Sequence, residues 1–105
     1  MLNTSFSPWP SFTPEEAAAV QQVLLSNKVN YWTGTECRNF EREFASYADC
    51  EYAVALANGT LALDIALKAL NIGPGDEVVV TPRTFIASIS CAVNAGATPL
   101  FAELV

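Results

Sequence analysis

The chain has 105 residues, of which 51% are hydrophobic and only 15% are charged. Soluble domains usually carry about 25% charged residues, so this surplus of apolar residues predicts surface that more chain or a partner subunit covers. The net charge of −6 without a Lys/Arg cluster argues against nucleic acid as a partner, and no apolar run approaches the length of a membrane span.

The first 30 residues are predicted to form an N-terminal arm followed by one helix. Residues 1–12 are rich in Ser and Pro and lack the pattern of a signal peptide. Thr13-Pro14-Glu15-Glu16 has the hydroxyl, proline and glutamate of a capping box, and residues 17–25 carry apolar side chains at helical spacing. The pattern breaks over residues 27–34, where Gly34 is expected to supply a positive φ.

Residues 31–105 are predicted to begin a second, α/β domain. A second capping box, Thr33-Gly34-Thr35-Glu36, predicts a helix that begins near Thr33 or Thr35. Within this helix three aromatic residues fall at intervals of four and three, so they share one face: Phe40, Phe44 and Tyr47. That face is expected to pack into a core.

After residue 49 the pattern changes to alternating strands and helices. A buried strand is predicted over residues 52–57, because this run is short, apolar and without alternation. A second buried strand is predicted over residues 77–81, which contain three consecutive valines, and residues 98–104 are a third candidate. Helices are predicted over residues 61–70 and 84–95, the first of them apolar almost all round and therefore buried, the second ended by Gly96. A turn is predicted at residues 73–76. This order predicts an α/β fold with a parallel sheet.

Ligands of open parallel sheets bind beyond the carboxyl ends of the strands, where two segments of this chain are expected to meet. Asn58-Gly59-Thr60 opens a helix, so free amides, Gly59 and the Thr60 hydroxyl could bind a phosphate. An ordinary helix cap is the alternative. Phe85, in the second segment, could stack on a flat heterocycle or pack into the core.

Several kinds of chemistry are not indicated by the sequence. There is no P-loop motif, and the GxG of residues 73–75 follows a helix, whereas the dinucleotide fingerprint follows a strand. Histidine is absent, and the three cysteines, Cys37, Cys50 and Cys91, form no CxxC pair. Neither a metal site nor a disulfide framework is therefore expected, Cys91 is expected to be a core thiol, and the expected compartment is the cytoplasm.

From about residue 31 onward the sequence resembles the DegT/StrS family of sugar aminotransferases, which depend on pyridoxal 5′-phosphate (PLP). The resemblance is collinear and consists of Thr33-Gly34, then Phe40-Glu41 and Phe44-Ala45, YAVALANGTLALDIALKAL, IGPGDEV, TFIAS and GATPLF. It implies the aspartate-aminotransferase type of fold (fold type I), of which this chain would be the incomplete N-terminal part.

The resemblance also implies roles for particular residues. Gly59 and Thr60 match the turn that binds the PLP phosphate, and Phe85 matches the aromatic residue that stacks on the pyridine ring. Tyr31 and Trp32 match a segment that often borders the sugar pocket. The partners implied are a nucleotide-sugar substrate, an amino-acid donor such as glutamate and a second subunit of a homodimer.

The family's Schiff-base lysine is not expected within this chain. Its two lysines, Lys28 and Lys68, lie in a polar loop and on a helix, not at the end of a strand. The expectation is a catalytic lysine further downstream and no activity for these 105 residues alone. Two alternatives remain: the dehydratase branch of the family, which uses histidine in place of the lysine, and a non-catalytic α/β binding module.

Overall fold

A computed structural model describes residues 8–103, which contain four helices and one two-stranded sheet. In chain order the elements are α1 (Pro14–Leu25), α2 (Glu36–Tyr47), α3 (Gly59–Ala69), β1 (Glu77–Val80), α4 (Ala87–Ala95) and β2 (Thr98–Phe101). The chain divides into two compact units between Ala53 and Val54. The domain boundary expected after residue 30 remains a prediction. Among the described residues, no helix has both the length and the hydropathy to cross a bilayer.

Helix α1 begins with the predicted capping box. The Thr13 hydroxyl accepts a hydrogen bond from the Glu16 amide at 3.2 Å, and the Glu16 carboxylate accepts one from the Thr13 amide at 2.7 Å. Pro14 occupies the first helical position, where no intrahelical amide bond is lost. The sequence pattern thus predicted this helix start correctly.

Helix α2 begins at Glu36, as expected, but without the predicted capping box. Thr35 is the N-cap residue and its side chain makes no capping bond among the described residues. Gly34 does not have the positive φ expected of it. It is required for a different reason, because a Cβ there would collide with the carbonyl oxygen of Lys28 and lie 2.9 Å from that of Asn30.

The three aromatic rings of α2 share one face, as predicted. The centroids of Phe40 and Phe44 lie 5.6 Å apart, and those of Phe44 and Tyr47 lie 6.2 Å apart. All three rings are exposed, however, so the expected core packing is wrong for the described residues. The buried side chain of this helix is the small Ala45.

In the second unit, β1 and β2 pair in parallel, with Glu77 opposite Thr98 and Val80 opposite Phe101. Two parallel neighbours need a crossover connection, and α4 provides it while packing against both strands. The core of this second unit consists of Val80, Ala87, Cys91, Ala92 and Ala97. Cys91 is therefore the core thiol that the sequence predicted.

Two expectations for this unit are wrong. Residues 52–57 are not part of the sheet that the described residues form, because a strand requires a paired neighbour and β1 pairs only with β2 there. Helix α3 packs against α4 but buries none of its side chains fully, although its sequence is apolar almost all round. The α/β class with a parallel sheet is confirmed.

Residues in the left-handed backbone conformation follow the ends of the helices. A tight turn precedes β1. Asn27, Asp49 and Asn71, each just beyond a helix, have φ between 52° and 56°. Gly96 follows α4 with φ 83°, as predicted for a helix stop. The predicted turn at residues 73–76 is present, closed by the Asp76 amide donating to the Gly73 carbonyl at 3.0 Å.

Candidate cofactor site

The first turn of α3 offers two backbone amides that are free of hydrogen bonds to the described residues. The Asn58 side chain accepts a hydrogen bond from the Leu61 amide at 2.9 Å, and the Asn58 carbonyl accepts from the Ala62 amide at 3.1 Å. The amides of Gly59 and Thr60 have no partner among residues 8–103. Because a helix N-terminus carries partial positive charge, these two amides are suited to an anion.

Gly59 is surrounded by open space. A Cβ built on it would meet no described atom within 4 Å, and its φ is not in the left-handed region. The fold of the described residues therefore does not require glycine here. Its missing side chain leaves the backbone open to close approach by a bound group.

The segment after β1 presents Phe85 outward. Its ring is 72% exposed, so it does not pack into the core, which was the alternative reading of the sequence. The Phe85 carbonyl accepts a hydrogen bond from the Ser88 amide at 3.1 Å, and the hydroxyls of Thr84 and Ser88 are 2.9 Å apart. The first bond holds the Phe85 backbone at the start of α4, and the second links the side chains of the residues on either side of it in the chain.

The two segments meet at one open cavity of about 620 Å³, which falls in the size range of small-molecule sites. Its lining consists of Gly59, Thr60, Ala62, Leu63, Phe85, Ala87 and Ser88. The structure thus brings together all three residues proposed for cofactor binding. All seven lining residues are uncharged, so no carboxylate among them repels an anion.

Ser88 also lines the cavity, although no role was predicted for it from the sequence. It lies one helical turn after Thr84, and the i, i+4 spacing of two hydroxyl residues beside Phe85 was the available signal. Of the two lysines, both within the described residues, neither lines this cavity. Lys68 is exposed on α3 and Lys28 lies in the loop after α1.

Tyr31 and Trp32 lie in the first unit, in the loop before α2. Their rings meet edge to face, with centroids 5.9 Å apart and planes at 82°. The Tyr31 hydroxyl donates to the Glu41 carboxylate at 3.1 Å, and this hydrogen bond is the main cause that raises the pKa of Tyr31 above its ordinary value of 10.0. Tyr31 therefore stays a hydrogen-bond donor at neutral pH.

Known proteins resemble this chain over most of its length. An aminotransferase from Psychrobacter cryohalolentis is 70% identical to this chain, with a TM-score of 0.89. The match covers 96% of this chain and 26% of the length of that protein. The dTDP-3-amino-3,4,6-trideoxy-alpha-D-glucose transaminase of Streptomyces venezuelae is 45% identical over 85% of this chain and 23% of its own length. The PLP form of Spr1654 from Streptococcus pneumoniae is 35% identical, with a TM-score of 0.79 over 98% of this chain and 26% of its own.

The chain thus spans about a quarter of the length of these relatives. Its fold agrees with those of the two solved structures in the region they share. The model of the DegT/DnrJ/EryC1/StrS aminotransferase family matches residues 10–105. The chain belongs to the DegT/DnrJ/EryC1/StrS aminotransferase family.

Proposed function

We propose that the complete protein containing this chain is a PLP-dependent aminotransferase. It moves an amino group from an amino acid, with glutamate the first candidate, to a keto group on a nucleotide-linked sugar. Family membership supports the reaction class, and the name of the Streptomyces venezuelae relative supports a dTDP-linked sugar or a similar substrate. The observation that carries the proposal is the cavity shared by Gly59, Thr60 and Phe85.

The residues of this cavity fit PLP, the cofactor on which the family depends. The amides of Gly59 and Thr60, which no residue of the described part of the chain uses, are donors for the phosphate oxygens, together with the Thr60 hydroxyl. The open space at Gly59 lets the phosphate reach those amides. The exposed ring of Phe85 provides a flat surface against which the pyridine ring can stack.

In this proposal the chain binds and orients the cofactor and supplies no proton-transfer group. Bound PLP serves as an electron sink for the carbon that gains or loses the amino group. The phosphate held at α3 and the ring held at Phe85 would fix the position of the reacting carbon. The lysine that moves the proton would come from the rest of the protein, since neither lysine of this chain lines the cavity.

The proposal extends to assembly and compartment. A homodimer would cover the apolar surface left exposed on α1, α2 and α3, and the family resemblance implies active sites near such an interface. The three cysteines are all free, which suits a reducing compartment such as the cytoplasm.

Absorbance spectroscopy of the complete protein tests the proposed reaction. PLP should give a protein-bound visible band that glutamate shifts, and a keto sugar nucleotide should restore the band while the aminated sugar appears by mass spectrometry. A band that no amino acid shifts would contradict the aminotransferase proposal. Loss of water from the sugar without amino transfer would instead support the dehydratase branch.

A further inference from the structure

The ring of Phe85 has little support from neighbouring side chains. It is 72% exposed, and no other aromatic ring of the described residues contacts it. The next residue, Ile86, is the N-cap of α4 and makes no side-chain capping bond within residues 8–103. A capping side chain usually fixes the start of a helix, and that device is missing beside this ring. The orientation of the ring therefore depends on how its backbone is held.

Ser88 makes two hydrogen bonds to the segment that carries Phe85. Its amide donates to the Phe85 carbonyl at 3.1 Å, and its hydroxyl lies 2.9 Å from the Thr84 hydroxyl. The first bond holds the backbone of Phe85 itself. The second reaches past Phe85 to the residue before it, so the main chain and the side chain of one residue hold residues 84 and 85 against the first turn of α4.

The two hydroxyls of this pair differ in their position relative to the cavity. Ser88 is half-buried and lines the cavity, whereas Thr84 is exposed and does not line it. A change at the Thr84 hydroxyl can therefore affect a ligand in the cavity only through the residues that this hydroxyl helps to hold. Holding an aromatic ring in place before a ligand arrives strengthens binding, because less conformational freedom is lost on contact.

We propose that Ser88 is a positioning residue for the cofactor: its hydroxyl, bonded to that of Thr84, holds Phe85 in the orientation in which the ring stacks on PLP. The inference rests on the proposed function, in which the exposed ring of Phe85 meets the pyridine ring. The spacing suits this role, because residues four apart lie one above the other at the start of a helix. Neither hydroxyl has another hydrogen-bond partner among residues 8–103.

Titration of the complete apoenzyme with PLP tests this role. Thr84→Val removes the hydroxyl but keeps the branched shape of an exposed side chain, so Tm should stay within about 2 °C of the native value. PLP affinity should fall about two- to fivefold, as expected for one lost hydrogen bond, and Ser88→Ala should lower it by the same factor. Thr84→Ser, which keeps the hydroxyl, should retain native affinity. Native affinity in Thr84→Val would overturn the proposal, whatever the effect of Ser88→Ala.

A double-mutant cycle separates positioning from direct contact with the cofactor. Ser88→Ala should add no loss of PLP affinity in the Phe85→Ala background, where no ring remains to be held. Additive losses would mean that the Ser88 hydroxyl acts on the cofactor itself, which contradicts the positioning role. Ser90→Ala is the matched control, because the Ser90 hydroxyl donates to the Ala87 carbonyl at 3.5 Å and Ser90 does not line the cavity. An equal loss of affinity in Ser90→Ala would also count against the proposal.

Hydrogen exchange in the apoenzyme gives a readout that does not depend on the cofactor. The Ser88 amide, which donates to the Phe85 carbonyl, should exchange about two- to fivefold faster in Thr84→Val than in the native protein, because the segment it bonds to is held less firmly. An unchanged rate would contradict the proposed support of Phe85. A native protein that binds no PLP contradicts the proposed function itself, whereas native PLP binding with equal affinity and exchange in Thr84→Val contradicts only the role of Ser88.

Discussion

Gly59, the first residue of α3, and Phe85, which precedes α4, line the same cavity. One offers a bare backbone amide and the other an exposed aromatic ring. A phosphate and a flat ring are the two parts of PLP that these groups suit. Helix packing supports this arrangement, since α3 packs against α4 and Asn94 donates to the Asp64 carboxylate at 3.3 Å.

Replacing Gly59 by alanine should separate cofactor binding from stability. The new Cβ meets no described atom within 4 Å, and alanine is the better helix former, so Tm should stay the same or rise slightly. The methyl group would stand where a phosphate approaches, and losing one charge-assisted hydrogen bond should lower PLP affinity about tenfold or more. Titrating the apoenzyme of Gly59→Ala and of the native protein with PLP, followed by fluorescence, measures the two affinities.

Gly73→Ala is the matched control for this experiment. Its Cβ would lie 3.7 Å from the Ala95 carbonyl oxygen, an ordinary contact, and Gly73 does not line the cavity. PLP affinity should therefore be unchanged. Native affinity in Gly59→Ala would count against a phosphate at the start of α3.

Removing the Phe85 ring should weaken cofactor binding without unfolding the protein. Because the ring is exposed, Phe85→Ala should change Tm little, while the loss of stacking should lower PLP affinity about two- to tenfold. Phe85→Tyr should keep native affinity. Phe12→Ala, which removes another exposed ring, is the control for nonspecific effects. Equal affinity in Phe85→Ala and native enzyme would mean that Phe85 does not contact the cofactor.

The sequence predicted the elements whose signals are local. The Thr13 capping box, the left-handed Gly96 and the turn before β1 depend on residues a few positions apart, and all three are present. The meeting of Gly59 with Phe85 was also predicted, but on the premise that both segments follow parallel strands. Only Phe85 follows a strand among the described residues, and the packing of α3 against α4 is what brings the two segments together.

The failures concern properties that depend on distant partners. A buried strand was predicted at residues 52–57, but pairing requires a neighbour that apolar composition cannot identify. The apolar face of α3 predicted burial, which depends on what packs over it. Gly34 was assigned a positive φ, whereas its reason is the close approach of the Lys28 and Asn30 carbonyls, a contact without a sequence pattern.

Thr13→Ala should destabilise the start of α1. The substitution removes the hydroxyl that accepts the Glu16 amide, and the loss of such a cap costs about 1 kcal/mol. Hydrogen exchange at the Glu16 amide should accelerate about fivefold, while Thr13→Ser should exchange at the native rate. Unchanged protection in Thr13→Ala would show that the capping box does not limit opening of this turn.

Glu41→Gln should lower the pKa of Tyr31 toward its ordinary value of 10.0, because the carboxylate is the main cause of the raised pKa. A raised tyrosine pKa means that the Tyr31–Glu41 bond is complete below pH 10 and is lost as pH rises through the native pKa. The ring 13C chemical shift of Tyr31 in the complete protein, assigned with Tyr31→Phe, follows this titration. An identical midpoint with and without the Glu41 carboxylate would contradict the hydrogen bond.

A crystal structure of the complete protein with PLP tests the central claim most directly. Phosphate oxygens should lie about 2.9 Å from the amide nitrogens of Gly59 and Thr60, and the pyridine ring should stack against Phe85. A phosphate bound elsewhere, with both amides facing water and Phe85 away from the ring, would contradict the assignment of this cavity.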